Sequence, residues 1–390
     1  MTTVILYKDK EKRVESGHPW LFRSDIFRVV GEARDGEPVR VTSHKGNFLA
    51  MAVYNPRSQI ALRLLSRQEE SIDRAFIQRR VKRALDYRRV FGDMRSCRLI
   101  FAESDGLPGI IADAFGDVVV MQNTCLGMET FQQDIVDALA EDLNPQGIYA
   151  RNDVPVRALE GMEQMTGVLY GQVPSRVEMV ENGVRFLVDV KEGQKTGFFL
   201  DQKENRAAIA PFVKDAKVLD CFTHTGSFAL HAARYGAVNV TGVDISEAAC
   251  SFARENTQLN GLEDRVHFEC ANAFDYLRKA QDGHQLFDVV ILDPPAFTKT
   301  RAAVPGALRG YKEINLRGMK LVKDGGYLVT CSCSHHVPPP MFMQMLCDAA
   351  KDARVQLRQV EYRTQGRDHP ILPAAPETQY LKCGIFQVFK

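Results

Sequence analysis

The chain contains no run of eighteen apolar residues, the length a membrane-spanning helix needs. Its first residues, Met1-Thr-Thr-Val-Ile-Leu-Tyr-Lys8, lack the pattern of a secretory leader. A cytoplasmic location without a membrane partner is therefore expected. Net charge is nearly absent as well, +1 from 50 Lys+Arg against 49 Asp+Glu. The balance hides a segregation: residues 1–100 hold 21 Lys+Arg and 12 Asp+Glu (+9), and the remainder holds 29 and 37 (−8). A basic front half suits a polyanion; the plainer alternative is an arginine-rich soluble surface. Nine cysteines are an odd number, mostly single in apolar segments, which favours reduced thiols over a disulfide framework. Repeats and low-complexity tracts are missing. A length of 390 residues suggests two or three domains.

What is present divides by rhythm. Residues 1–72 alternate short β-like runs (Val4–Tyr7, Pro38–Thr42, Asn47–Tyr54) with turn signals at Asp35-Gly36, Lys45-Gly46 and Asn55-Pro56, which predicts a small β-barrel. The single tryptophan, Trp20, lies in it near Arg13, Arg23 and Arg28, and reads either as core or as a platform for a nucleic-acid base. Residues 73–176 read as a central α+β module opened by an arginine-rich amphipathic helix over 73–95. There Phe76, Ile77, Val81, Ala84 and Leu85 recur at helical spacing, with Arg79, Arg80, Lys82, Arg83, Arg88 and Arg89 around them. Residues 177–390 open with a hairpin around Asn182-Gly183. Strands then alternate with helices, at 217–220, 239–243, 265–269, 287–292, 326–331, 354–361 and 383–389. The fold class is α/β: a parallel, Rossmann-like sheet whose last strand runs antiparallel, preceded by the barrel and the central module.

Glycine is scarce where a dinucleotide site would need it. Lys217-Val-Leu-Asp220-Cys-Phe222-Thr-His-Thr225-Gly226 is a strand and turn leading into a helix, with one glycine instead of three. Such a turn is not built for a pyrophosphate. It fits a ligand with adenosine and no phosphate, of which S-adenosylmethionine is the commonest. Asp244 ends the next strand, where a carboxylate can accept from ribose hydroxyls; the plainer alternative is a helix cap.

Two later motifs carry chemistry. Asp293-Pro294-Pro295-Ala-Phe297 follows a buried strand, and its prolines make a rigid, N–H-poor rim with Phe297 available to stack on a base. Thr330-Cys331-Ser332-Cys333-Ser334-His-His336 ends the following strand. It reads as a tight metal site, as buried thiols, or as a nucleophile at the sheet edge where ligands bind. A thiolate is what methylation of cytosine at carbon 5 requires, because that carbon becomes nucleophilic only after addition at carbon 6.

These residues resemble the motifs of class I RNA 5-methylcytosine methyltransferases. The segments His18-Pro-Trp20, Glu103–Gly109, Thr196–Gln202, Arg309–Asn315 and Asp368-His-Pro370 are similar to the large-subunit rRNA cytosine-5 methyltransferase family, which carries an N-terminal PUA domain. The likeness spans nearly the whole chain. It implies S-adenosylmethionine as cofactor and ribosomal RNA as partner; a homodimer is compatible with it. By position it implies Cys333 as nucleophile, with Asp293 between cofactor and base. Cofactor contacts would come from Phe198, Asp201, Gln202, Arg206, Asp220, Phe222, Thr225, Gly226, Asp244, Ile245, Asn272, Asp293 and Pro294. Arg206 could pair with the methionine carboxylate. Pro295, Phe297, Tyr311, Lys312 and Asn315 would face the substrate, Lys312 meeting a phosphate. Two features depart from the pattern. Asn272 stands where an acid is usual, and its oxygen can still read the adenine amine. The proline motif also lacks the second cysteine of the two-cysteine families, so Asp293, water or Cys331 must take the carbon 5 proton. Methylation of an exocyclic base nitrogen and a non-catalytic RNA adaptor are the other readings.

Overall fold

The computed structural model describes residues 1–390. The chain forms two compact units: residues 1–179, 188–200 and 368–378 make the first, and 180–187, 201–367 and 379–390 the second.

The first unit begins with β1 (Thr3–Leu6), α1 (Glu11–Glu15), β2 (Trp20–Leu21), β3 (Ile26–Val30), β4 (Pro38–Thr42), β5 (Phe48–Tyr54) and β6 (Leu62–Ser66). They make one sheet, ordered β2-β6-β5-β4-β1-β3. Alternate residues Val4, Leu6, Val39 and Val41 point inward and meet Val14, Leu21, Ala50, Ala52 and Leu62, so the sheet curls around a single core.

Helix α2 (Arg74–Arg89) follows, capped by Asp73, whose side chain accepts from the Phe76 N–H at 2.9 Å. It buries the predicted apolar stripe, but stops before residue 95, where Gly92 turns the chain at φ +88. Arg88 departs from the expected solvated face. It is fully buried, pairs with Asp105 at 2.6 Å and donates to the carbonyls of Arg98 and Asp368. The helix packs with α3 (Gln132–Leu143) on the strands β7 (Ser96–Phe101), β8 (Ile110–Phe115), β9 (Val118–Asn123), β10 (Gly147–Asn152) and β11 (Met165–Gly171). A short α4 (Val156–Leu159) precedes β11, and the strand order is β11-β10-β9-β8-β7.

Two of the recognised segments prove to be braces of this unit. Glu103 takes the Trp20 indole N–H at 2.8 Å and Arg63 at 2.6 Å, and Asp368 accepts the Arg98 backbone N–H at 2.8 Å. Trp20 is thus half-buried and tied down by its nitrogen, closer to the core reading than to a free platform.

β12 (Arg176–Glu181) and β13 (Val184–Asp189) pair as the hairpin, with Asn182 at φ +49 and Gly183 at φ +79, the two positive angles a type I′ turn demands.

The second unit continues with α5 (Lys203–Ala208), α6 (Ala210–Val213), β14 (Lys217–Cys221), α7 (Ser227–Arg234), β15 (Asn239–Asp244), α8 (Glu247–Asn260), β16 (Val266–Cys270) and α9 (Ala273–Asp282). Then come β17 (Phe287–Leu292), α10 (Val304–Leu321), β18 (Val322–Ser332), α11 (Pro339–Ala353), β19 (Gln356–Arg363) and β20 (Lys382–Phe389). The seven strands are ordered β16-β15-β14-β17-β18-β20-β19. β20 runs antiparallel to both its neighbours, as the helix-free, proline-containing connection predicted. Leu219, Val290 and Leu328 of the sheet share one core with Leu277, Ile314 and Phe342 of α9, α10 and α11. That packing fixes the carboxyl ends of β14, β15, β17 and β18, the edge that carries the site. No helix is long and apolar enough to cross a membrane.

Candidate active site

β14 delivers Asp220, only 1 % exposed, to the sheet edge. One carboxylate oxygen accepts from the Thr223 hydroxyl at 2.5 Å and the Ala229 N–H at 3.0 Å; the other is buried without a partner. Burial pushes the carboxyl up to about 7, the negative Asp293 pushes the same way, and the two hydrogen bonds oppose them. The turn that follows is strained: Phe222, His224 and Gly226 all lie at positive φ, +66, +52 and +83. A β-carbon on Gly226 would sit 2.9 Å from the Phe268 ring. The Thr225 hydroxyl is also buried without a partner. A half-neutralised carboxylate and an orphaned hydroxyl on one turn are what a cationic ligand with polar groups, such as S-adenosylmethionine, would satisfy.

Asp244 is half-buried, and its carboxylate receives the backbone N–H groups of His224 and Ser246, each at 3.0 Å. The cap of α8 is Ser246, whose hydroxyl accepts from the Ala249 N–H, so Asp244 is not spent on that role. Ile245 beside it is 69 % exposed. Asn272 does cap a helix: its oxygen accepts from the Phe274 N–H at 2.9 Å, which takes up one of the lone pairs expected to read an amine. Gln202 is buried and donates to Asp293 at 2.9 Å, while Asp201 accepts from the Tyr380 hydroxyl at 2.6 Å. Phe198 is buried within the first unit.

The expectation for Arg206 needs correction. Its guanidinium is fully buried and forked onto Glu181, at 2.6 and 3.0 Å, so its charge is already neutralised and a ligand carboxylate would have to displace a buried ion pair.

β17 and β18 bring the other two motifs together. Cys333 is half-exposed between buried Ser332 and Ser334, with its sulfur 4.0 Å from the Pro294 carbonyl oxygen. Asp293 is half-buried at the end of the neighbouring strand, Pro294 is buried, and Pro295 is exposed. Cys331 is different. It is fully buried opposite Cys383, and burial together with that neighbour raises its thiol far above the usual range. Cys331 therefore stays protonated and cannot take the carbon 5 proton, which corrects that option. Phe297 packs at 4.6 Å from Tyr311, 6.0 Å from Phe274 and 6.4 Å from Phe222, making an aromatic wall beside the rim. No three His, Cys, Asp or Glu side chains gather in a way that could hold a metal ion.

Three expected substrate contacts lie elsewhere. Tyr311 is buried and bonds the Ser334 hydroxyl at 2.8 Å, so it supports the thiol segment from behind. Asn315 is buried and donates to the Tyr311 carbonyl. Lys312 pairs with Asp352 on α11 at 2.7 Å. The helical spacing of Arg309–Asn315 aimed these residues at the core and at a neighbouring helix instead of at an open face.

Sequence reading missed four supports: Lys382, Tyr380, Glu181 and His224. The one local signal was Lys382, a charge in the otherwise apolar Leu381–Phe386 run. Also missed was a groove of about 730 Å³ in the first unit, lined among others by Arg67, Arg79, Arg80, Arg83 and Tyr87. Arg79 pairs with Glu70, but Arg67 and Arg80 donate to the carbonyls of Val14 and Leu65. Burial lowers the pKa of Arg80, and the like charges of Arg83 and Arg79 add to it.

A PUA-like domain matches residues 4–67, and a family of S-adenosylmethionine-dependent methyltransferases matches residues 162–384. The chain is 41 % identical, over 99 % of its length and 98 % of the relative's, to ribosomal RNA large subunit methyltransferase I of Alteromonas mediterranea. It is 42 % identical to the protein of that name from Shewanella denitrificans, over 97 % of the chain and 98 % of the relative. Among solved structures, a protein from Streptococcus mutans assigned as an S-adenosylmethionine-dependent methyltransferase superposes with a TM-score of 0.84. It covers 99 % of this chain and 100 % of its own at 21 % identity, which speaks for the fold alone. A methyltransferase solved with S-adenosylhomocysteine gives 0.85, with the same coverage and identity.

Proposed function

From the premise that the chain belongs to the S-adenosylmethionine-dependent methyltransferases, in the ribosomal RNA large subunit methyltransferase I family, we propose that it methylates carbon 5 of a cytosine in large-subunit ribosomal RNA through a covalent Cys333 adduct. The observation that carries the reading is the half-exposed Cys333 sulfur 4.0 Å from the carbonyl of the Asp-Pro-Pro rim, at the sheet edge that also carries Asp220 and Asp244. An RNA substrate would also put the protein in the cytoplasm.

The cofactor is S-adenosylmethionine, which supplies an electrophilic methyl group; Asp220, Thr225 and Asp244 are the residues suited to hold it. Cys333, as thiolate, adds to carbon 6 of the cytosine, and the ring electrons move towards N3, which takes a proton from water. Gln202 fixes one Asp293 oxygen from behind. The enamine so formed would take the methyl group on carbon 5 as the methyl–sulfur bond breaks, the cofactor leaving as its neutral thioether. Loss of the carbon 5 proton to Asp293 or to water then restores the double bond and expels the thiolate, and the N3 proton returns to water. The Pro294 and Pro295 carbonyls can accept from the base's exocyclic amine, and the Phe297 ring can border its face. In the first unit, the arginine groove is suited to RNA phosphates, with Tyr87 beside them for a base.

The test is in vitro methylation of ribosomal RNA with nucleoside mass spectrometry. Unaltered protein should yield 5-methylcytidine, and Cys333→Ala should lower turnover by at least about 10³-fold while S-adenosylmethionine still binds. N4-methylcytidine as product, or full activity of the Ala variant, would sink the covalent route.

A further inference from the structure

We propose that Lys382 is the positioning cation that holds Cys333 as a reactive thiolate. The inference rests on the reading of Cys333 as nucleophile, but its test uses no RNA.

Antiparallel pairing sets Lys382 opposite Ser332, the residue before Cys333. From there its ammonium donates to the carbonyl oxygen of Ser334, the residue after Cys333, at 2.8 Å, and to that of Tyr380 at 2.9 Å. The ammonium is thus anchored within one peptide of the nucleophile, in a residue only 2 % exposed. Both fixed acceptors are neutral carbonyls. A buried ammonium with neutral acceptors gains by having an anion close by, and a thiol beside a fixed cation ionises more readily. Burial lowers the Lys382 ammonium to about 8, and the Cys333 thiolate works in the opposite direction.

Other titratable groups face this pair from the surrounding elements. Asp293 follows β17, next to Pro294, whose carbonyl oxygen lies 4.0 Å from the Cys333 sulfur. Tyr311 on α10 reaches the Ser334 hydroxyl. Cys331 and Cys383 oppose each other on β18 and β20, and Cys331 is held neutral. Asp201 binds the Tyr380 hydroxyl, and the His335 ring lies 6.4 Å from that of Tyr380. Among these, Lys382 is the one fixed cation bonded to the Cys333 segment. A simpler role exists: a strap tying Ser334 to Tyr380. A strap needs hydrogen-bond donors, whereas thiolate stabilisation needs charge, and the two can be separated.

The experiment follows iodoacetamide alkylation of Cys333 against pH, read by peptide mass spectrometry, with the exposed Cys347 of α11 as reference thiol in the same digest. In unaltered protein Cys333 should titrate below Cys347. Lys382→Gln keeps donors without charge and should raise the Cys333 midpoint by about one pH unit, slowing alkylation about tenfold below it. Lys382→Arg should retain the low midpoint. S-adenosylmethionine binding by calorimetry reports whether each variant is folded. A folded Gln variant with an unshifted midpoint would leave Lys382 a strap and overturn the proposal. If neither variant folds, the unaltered protein decides: a Cys333 midpoint at or above that of Cys347 overturns it. A low midpoint that depends on Lys382, found together with a product other than 5-methylcytidine, would uphold this inference and fail the cytosine reading alone.

Discussion

At the scale of single residues, two cysteines two positions apart have opposite chemistries. Cys331 is sealed against Cys383 and kept as a thiol, while Cys333, just past the end of β18, reaches partial exposure beside Pro294. The sequence offered both; what separates them is where the strand stops. Asp220 was expected from the sequence as a cofactor contact, but its titration was not legible there, because burial and Asp293 arise only in the fold. The sign is definite. A carboxyl raised from 3.8 to about 7 is protonated below that pH in the empty protein and ionised above it. A cationic ligand prefers the ionised form, so S-adenosylmethionine affinity should rise up to about tenfold per pH unit as pH increases towards 7, then level off. Calorimetry from about pH 5.5 to about pH 8.5 should show this, with proton release on binding that disappears in Asp220→Asn. A flat profile in the unaltered protein would contradict the assignment.

At the scale of elements, the seven strands and the antiparallel β20 were readable because their apolar runs and turn residues agree with the parallel-sheet rhythm. The turn after β14 was readable as a turn, yet its strain was not: nothing in the letters requires Phe222 and His224 to sit at positive φ. Gly226 is the residue that tolerates this geometry. Gly226→Ala must adopt φ +83 and press a methyl against Phe268, which should cost about 1–2 kcal/mol and weaken cofactor binding more than it lowers the melting temperature. Thermal unfolding with and without S-adenosylmethionine checks this; an Ala variant with unchanged affinity would show the turn to be permissive. The α10 residues were misjudged for a related reason. Spacing shows which residues share a helix face, but not whether that face meets ligand or core. Tyr311 and Asn315 went to the core, as did Arg88 on α2 and Arg206 on α5.

At the scale of the whole molecule, the charge segregation seen in the sequence finds a physical location in the arginine groove of the first unit. Arg79 and Arg83 are exposed on α2, away from Asp220 and Cys333 in sequence and in a different compact unit. If the groove takes RNA phosphates, replacing both with Ala should weaken RNA binding and reduce the slope of log affinity against log salt by about 2, leaving S-adenosylmethionine affinity unchanged. Filter binding at several salt concentrations measures it, and an unaltered slope would remove the groove from the RNA path. The composition predicted a polyanion partner, but it could not say which arginines are free to meet one. Arg63 and Arg88 are spent on buried carboxylates, a difference visible only once distant segments are brought together. The central chemistry is tested most directly with RNA carrying 5-fluorocytidine, whose fluorine cannot leave as the carbon 5 proton does. The account predicts a denaturant-stable protein–RNA adduct that requires S-adenosylmethionine, maps to Cys333 and is absent from Cys333→Ala. Efficient methylation of normal RNA with no trapped adduct on the fluorinated RNA would contradict it.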